Sequence, residues 1–211
     1  MRDTPLIETI QSGAQSMNIE LTELALAQLC QYVSLLQKWN KKINLTRLSS
    51  TDQIITHHIF DAFSIVNLIQ GENICDVGTG AGIPGIILAI LFPQKQFTLI
   101  DKVQKKVMFL KQVALELKLH NVTATARRVE TLKGQAFDTI TSRAFSSLPH
   151  MLELTQHLGH PETLFLAMKG QYPEHELSKV PDVFRVSKVL KLHVPDLEAE
   201  RHAVLILFHT Q

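Results

Sequence analysis

In the stretch DVGTGAGIPG, Asp76 to Gly85, an acid is followed by glycines at 78, 80, 82 and 85. Glycines spaced this way after a strand let the backbone turn tightly. They bring N–H groups and the positive end of a helix dipole against a ligand at the carboxyl edge of a parallel sheet. Gly80-x-Gly82-x-x-Gly85 fits the dinucleotide fingerprint, and Asp101 follows about 20 residues on as a ribose-binding acid. Asp76 argues against a pyrophosphate, because a carboxylate just before the loop repels that group and suits an ammonium or sulfonium. A glycine turn needed only for tight packing is the remaining reading of the same residues.

Other residues could bind rather than turn. His57, His58 and Asp61 lie together in HHIFDAFS, and on a helix His58 and Asp61 share a face. Two ligands without a companion Cys or Glu cluster fall short of a metal site, so no metal is expected and capping or core packing is favoured. Trp39 could stack on a base, but its helical spacing from Leu35 and Leu36 favours the core. Arg143, at the end of an apolar strand, could hold a ligand or simply close a salt bridge to Asp138 or a helix end. Lys38, Lys41, Lys42 and Arg47 form a basic run without an acid, and Lys102, Lys105, Lys106 and Lys111 form another. Each is either a solvated helix face or a source of phosphate contacts.

The periodicity of the chain supplies the frame for these residues. Its 211 residues suffice for one sizeable core. From Leu21, apolar positions at Leu29, Val33, Leu36 and Ile43 predict a helix capped by Thr22 and ending near Trp39. A second helix is expected across DQIITHHIFDAFSIVNLI, capped by Thr51 or Asp52 and stopped by Gly71. From Asn73 onward short apolar runs alternate with helical patterns, the mark of a parallel sheet covered on both faces. ICDV, FTLID, VTATARRVE, FDTITSRAF and TLFLAMKG read as strands. A helix starts near Pro84, another carries the Val103, Val107, Leu110, Ala114, Leu117 stripe, a third lies around PHMLELTQHL, and the C-terminal stretch reads as a β-hairpin. The expected division is a helical extension over residues 1–71 packed on a Rossmann-like domain over residues 72–211, the two forming one compact unit.

Composition excludes several classes. With 21 basic and 20 acidic residues the formal charge is +1, so no global field draws the molecule to nucleic acid or membrane, and any nucleic-acid site must be local. Cys30 and Cys75 are too few for a disulfide scaffold and suit a reducing cytosol. MRDTPLIETIQSG lacks the apolar core of a signal peptide, and IPGIILAILF is about half of what a membrane span requires. A soluble, cytoplasmic protein with no membrane partner is expected.

The D-x-G-x-G-x-G pattern, with an acid closing the second strand, resembles the S-adenosylmethionine-dependent methyltransferases of the Rossmann-like class. The ordered set WNKKINLT, HHIFDAFS, DVGTGAGIPG, RRVE, SRAF, MKG and ERHAV resembles, over nearly the whole chain, the bacterial small-subunit ribosomal RNA (guanine-N7) methyltransferase family, also called glucose-inhibited division protein B. That resemblance implies a class I methyltransferase fold with a mostly parallel seven-stranded sheet, helices on both faces and the N-terminal extension. It implies S-adenosyl-L-methionine held by Asp76, Gly78, Thr79, Gly80, Gly82, Ile83, Asp101, Val129, Glu130 and Arg143. Arg128, Lys169 and Arg201 fall on basic family positions and would position 16S ribosomal RNA or the small ribosomal subunit, the protein acting as a monomer. His57 stands where the family more often has arginine and Ala62 where it usually has serine, which leaves the role of that segment open.

The implied chemistry needs no general base. Guanine N7 carries an in-plane lone pair and no proton, so direct in-line attack on a sulfonium methyl requires positioning alone. The alternatives are a methyltransferase of the same fold with another substrate, a nicotinamide-binding oxidoreductase, and a non-catalytic RNA-binding or cofactor-sensing module.

Overall fold

The computed structural model describes residues 4–143 and 145–209. Seven strands form one sheet in the order β3-β2-β1-β4-β5-β7-β6: β1 Asn73–Val77, β2 Gln96–Asp101, β3 Val122–Ala126, β4 Phe137–Ser142, β5 Gly159–Lys169, β6 Phe184–Lys191 and β7 His202–Phe208. β1 to β5 run parallel, and β7 is antiparallel to both β5 and β6. β7 therefore begins at the edge where β1 to β5 end, with Lys169 opposite His202. The central strands are apolar on both faces because helices cover both.

Among the described residues the α-helical segments are α1 Thr4–Ser16, α2 Glu23–Ile43, α3 Thr51–Ile54, α4 Asp61–Phe63, α5 Gly85–Leu91, α6 Gln104–Glu116, α7 Leu148–Thr155 and α8 Glu174–Leu177. Thr22 caps α2 by accepting from Ala25 N at 3.1 Å. On one face of the sheet, Ile74, Leu99 and Leu166 share a core with Leu29, Leu36, Ile59, Ile87 and Phe109, so the N-terminal helices pack on the same face as α5 and α6. On the other face Cys75, Val77, Ile140 and Phe165 pack against Leu148, Met151 and Leu152 of α7. Cys75 is a buried small hydrophobe, as its apolar neighbours suggested.

Several boundaries differ from the sequence reading. α1 was not anticipated, and α2 runs past Trp39 to Ile43, ending at Asn44 with φ +48°, a left-handed conformation that asparagine tolerates. The next segment is capped by Ser50, whose Oγ accepts from Gln53 N at 3.3 Å, rather than by Thr51 or Asp52. It widens to a π-helical turn over Ile55–Phe60 and closes at α4, well before Gly71, which instead turns the chain into β1 with φ +70°. A lone 3.6-residue pattern cannot reveal such a wide turn. Trp39 is half-buried, its ring 5.8 Å from that of Phe109, so it packs between α2 and α6.

Candidate functional site

The carboxyl edge of the sheet has two differently built halves. At the ends of β1, β2 and β3 a cleft of about 360 Å³ opens between the glycine loop and the residues after β3, within the range of small-molecule sites. Its lining includes Gly78, Asp101, Lys106, Val129 and Glu130, together with Phe145, His150 and Leu154. Phe145 and His150 meet edge to face at 5.8 Å. Of the sequence-predicted cofactor residues, Gly78, Asp101, Val129 and Glu130 thus face the cleft, while Asp76, Thr79, Gly80, Gly82, Ile83 and Arg143 do not line it.

Asp76, expected to face the cofactor, does not line the cleft. It is fully buried beneath the loop, where its Oδ2 accepts from Thr79 Oγ1 at 2.6 Å and from Gly85 N at 2.9 Å. Gly85 is obligatory here, since a Cβ would collide with Leu99 and with the Asp76 carboxylate. Oδ1 of Asp76 is buried without a hydrogen-bond partner, an acceptor left for a donor that the described residues do not supply. Burial raises the Asp76 carboxyl from 3.8 to about 6, although the bonds from Thr79 and Gly85 and the nearby Arg143 charge oppose the rise.

Most of the loop's own N–H groups are spent internally. Gly78 N and Thr79 N donate to Ile100 O, Gly80 N to Asp101 Oδ2, and Gly82 N and Ile83 N to Thr79 O. The expectation that these donors are offered to a ligand therefore fails, and a pyrophosphate would find few of them free. That is a physical reason to set the dinucleotide reading aside. Gly82, at φ +89°, also leaves no room for a Cβ beside Ile86 and Leu110, which presses the loop onto α6. Asp101, 6% exposed, accepts from Gly80 N at 3.0 Å on Oδ2 and from Val103 N at 2.9 Å on Oδ1, and its Oδ2 lies 3.7 Å from Lys106 Nζ.

The N-terminal extension reaches this loop directly. Tyr32, buried on α2, donates its hydroxyl to Ala81 O at 2.9 Å. Burial pushes its phenol well above the ordinary range, so it remains a donor at any physiological pH.

The other half of the edge, at β4, β5 and β7, carries cations pinned by carboxylates from elsewhere. Arg143 Nη1 lies 3.0 Å from Asp61 Oδ2 and 2.9 Å from His57 O, and Arg201 Nε lies 3.0 Å from Asp61 Oδ1. Asp61 is fully buried, and each of its oxygens takes one guanidinium. Arg143 does not pair with Asp138, which instead accepts from Glu72 N and Asn73 N and binds His160. Lys169 Nζ lies 2.8 Å from Glu176 Oε2, and the same carboxylate oxygen accepts from Leu148 N at 2.6 Å. Arg128 is exposed and 3.6 Å from Glu130.

His58 belongs to this cluster without being a ligand. Its ring is held by Thr46 Oγ1 at 3.0 Å and His57 O at 2.9 Å, and burial, reinforced by the Arg143 charge, lowers it to about 3, so it stays neutral. Asp61 as the partner of two arginines, Tyr32 and Glu176 were not singled out from the sequence. The signal for Asp61 was there: an acid inside the apolar run IFDAF must be buried, and a buried acid needs a cation.

Comparison with known proteins gives the family and the fold. The family profile described as rRNA small subunit methyltransferase G matches residues 25–204. The ribosomal RNA small subunit methyltransferase G of Escherichia fergusonii is 44% identical over 202 residues, covering 95% of this chain and 98% of that protein. That of Alteromonas mediterranea is 47% identical over 193 residues, 91% and 92% of the two chains. Among solved structures, magnesium protoporphyrin IX methyltransferase from Synechocystis with bound SAM superposes with a TM-score of 0.61 at 15% identity, over 84% of this chain and 97% of that one. A SAM-dependent methyltransferase from Aquifex aeolicus gives 0.59 at 19% identity, over 79% and 97%. At such identities the structural likeness concerns the fold.

Proposed function

The chain belongs to the rRNA small subunit methyltransferase G family, and we propose on that footing that it transfers a methyl group from S-adenosyl-L-methionine to N7 of one guanine in 16S ribosomal RNA. The match over residues 25–204 carries the reading, and the division of the carboxyl edge into a cleft and a row of held cations supports it. The reading makes the protein cytoplasmic and monomeric, with the small ribosomal subunit or its RNA as partner.

The residues present fit the cofactor. The cleft, lined by Val129 and Phe145, has the volume for a nucleoside, Asp101 and Glu130 offer acceptors to ribose hydroxyls, and the unpaired Oδ1 of Asp76 sits behind the loop as negative charge for a cationic tail. S-adenosyl-L-methionine, when bound there, supplies an electrophilic methyl on a positively charged sulfur. Thr79, Gly80, Gly82 and Ile83 would act by fixing the loop's path rather than by offering donors.

Guanine N7 needs no proton removed, so no general base has to be found. His58 is locked neutral by Thr46 and His57, which suits a structural part. Arg201 and Lys169 are held by Asp61 and Glu176. As charge passes to the purine, they orient O6 or a phosphate rather than move a proton, and Arg128 does the same from the cleft side, while Arg143, expected to contact the cofactor, is held by Asp61 beside Arg201. Fixing the lone pair in line with the methyl–sulfur bond can supply on the order of 7–11 kcal/mol. In an A-form helix the N7 edge is buried in a groove side chains cannot enter, so the target guanine belongs to a loop or is displaced from its stack.

The test is transfer of labelled methyl from S-adenosyl-L-methionine to small subunits lacking the modification, followed by digestion to nucleosides. 7-Methylguanosine is expected, and Arg143→Ala should abolish it. Cofactor binding without a labelled nucleoside would leave the fold assignment standing and remove the ribosomal one.

A further inference from the structure

Two basic runs far apart in the sequence meet on one surface. Gln28 Nε2 on α2 donates to Leu117 O just past the end of α6 at 2.7 Å, while Trp39 near the other end of α2 packs its ring 5.8 Å from Phe109 on α6. Rising residue numbers on one helix therefore meet falling numbers on the other, and the two helices are antiparallel. The C-terminal end of α2, with exposed Lys38, Lys41 and Lys42, lies beside the first turn of α6, with exposed Lys105 and half-buried Lys106.

The loop after α2 is fixed to the same place. Asn40 Oδ1 accepts from Thr46 N at 2.9 Å, its Nδ2 donates to Leu48 O at 3.3 Å, and Thr46 Oγ1 bonds His58, so exposed Arg47 is carried on an anchored turn. Lys102 and Lys106 line the cleft, which places this surface at the cleft's mouth. No Asp or Glu occurs in residues 38–50 or 102–115. Among the described residues, Lys106 reaches a carboxylate, that of Asp101 at 3.7 Å, whereas Lys38, Lys41, Lys42, Arg47, Lys102 and Lys105 form no ion pair.

Gathering these cations on one side in a chain of net charge +1 leaves the rest of the molecule acidic, so the molecule has a polarity that can orient an approaching polyanion. Trp39 is tucked against Phe109, and the surface offers cations rather than a ring for stacking a base. Cations without base-reading groups suit the sugar–phosphate backbone, a contact that positions without reading sequence.

We infer that the joined ends of α2 and α6 form the docking surface for an extended RNA backbone, which leads the acceptor guanine to the cleft. This rests on the proposed RNA substrate and adds that the substrate must be long enough to cover the helices as well as the site. Short guanine-containing oligonucleotides are then poor acceptors.

The experiment measures binding of unmodified 16S ribosomal RNA by the full chain between about 50 and 200 mM salt. It compares the wild type with Lys41→Glu/Lys42→Glu, Lys105→Glu, and a control, Lys188→Glu, exposed on β6 at the far edge of the sheet. Reversal on either helix should weaken binding about tenfold or more and flatten the salt dependence by about one unit of log–log slope for each phosphate that is no longer neutralised. The control and the affinity for S-adenosyl-L-methionine should stay at wild type. Salt-independent binding, variants that bind like the wild type, or a control that weakens equally would overturn the inference. If RNA binds through this face but no methyl is transferred, the surface stands and the ribosomal methylation reading fails.

Discussion

The two halves of the carboxyl edge use acids in opposite ways. Around β1 and β2, Asp76 and Asp101 are spent on the main-chain N–H groups of Gly85, Gly80 and Val103, and they shape a loop. Around β4, β5 and β7, Asp61 and Glu176 are spent on Arg143, Arg201 and Lys169, and they aim side chains. The first half is closed over 2 to 21 residues of sequence, whereas the Asp61 bonds of the second span 82 and 140, beside a Lys169–Glu176 pair only 7 apart. Local backbone geometry thus shapes the cleft, whereas distant elements bring two arginines to Asp61.

If the second half depends on one buried carboxylate, Asp61→Ala has the largest effect. It leaves two guanidiniums facing each other without their shared partner, a loss of about 3–5 kcal/mol by urea unfolding, with methyl transfer abolished. Asp61→Asn keeps the shape and should lose less stability but still impair transfer. An alanine variant that is stable and active would show that the arginines do not need the clamp.

In the first half the corresponding carboxylate, Asp76, is strained rather than satisfied. Its native carboxyl is raised to about 6 from 3.8, so its contribution is fully present below pH 3.8, falls away as pH rises through 6, and is absent above that. Asp76→Asn, with its amide oxygen accepting from Thr79 and Gly85, escapes this cost. The stability of the variant relative to wild type should climb between about pH 4 and 6 and level off above that, approaching a gain of about 3 kcal/mol at most. Cofactor affinity should fall, separating stability from binding. A difference that stays flat across that window would mean that the Asp76 carboxyl is not raised in the native state.

The smallest change probes the link between the extension and the loop. Tyr32→Phe removes one buried hydrogen bond to Ala81 O and should cost about 1 kcal/mol, with weaker cofactor binding and unchanged RNA binding. Equal losses of both would place Tyr32 in general stability rather than in the loop.

The glycine loop, the strands and the N-cap Thr22 were legible because each is encoded by residues near in sequence, through period, turn chemistry and capping. The hydrogen-bond partners of Asp76 were not legible from the same residues. Its position in the strand was clear, but whether it faces the ligand or the core depends on Thr79 and Gly85 folding back over it. The π-helical turn was hidden because it differs from an α-helix by one residue per turn, and what favours it is the fit of His57 O and Asp61 to an arginine more than 80 residues away.

By itself the sequence determined an alternating α/β chain, a glycine loop at the end of β1, an acid at the end of β2 and a set of cations at strand ends, since all of these rest on local spacing. Only the tertiary structure decided which cations share a carboxylate, that most of the loop's N–H groups are already taken, and that the basic ends of α2 and α6 lie side by side. Charge and hydrogen-bond partnership act through space over a few ångströms, and which groups come that close is settled by how the helices pack on the sheet.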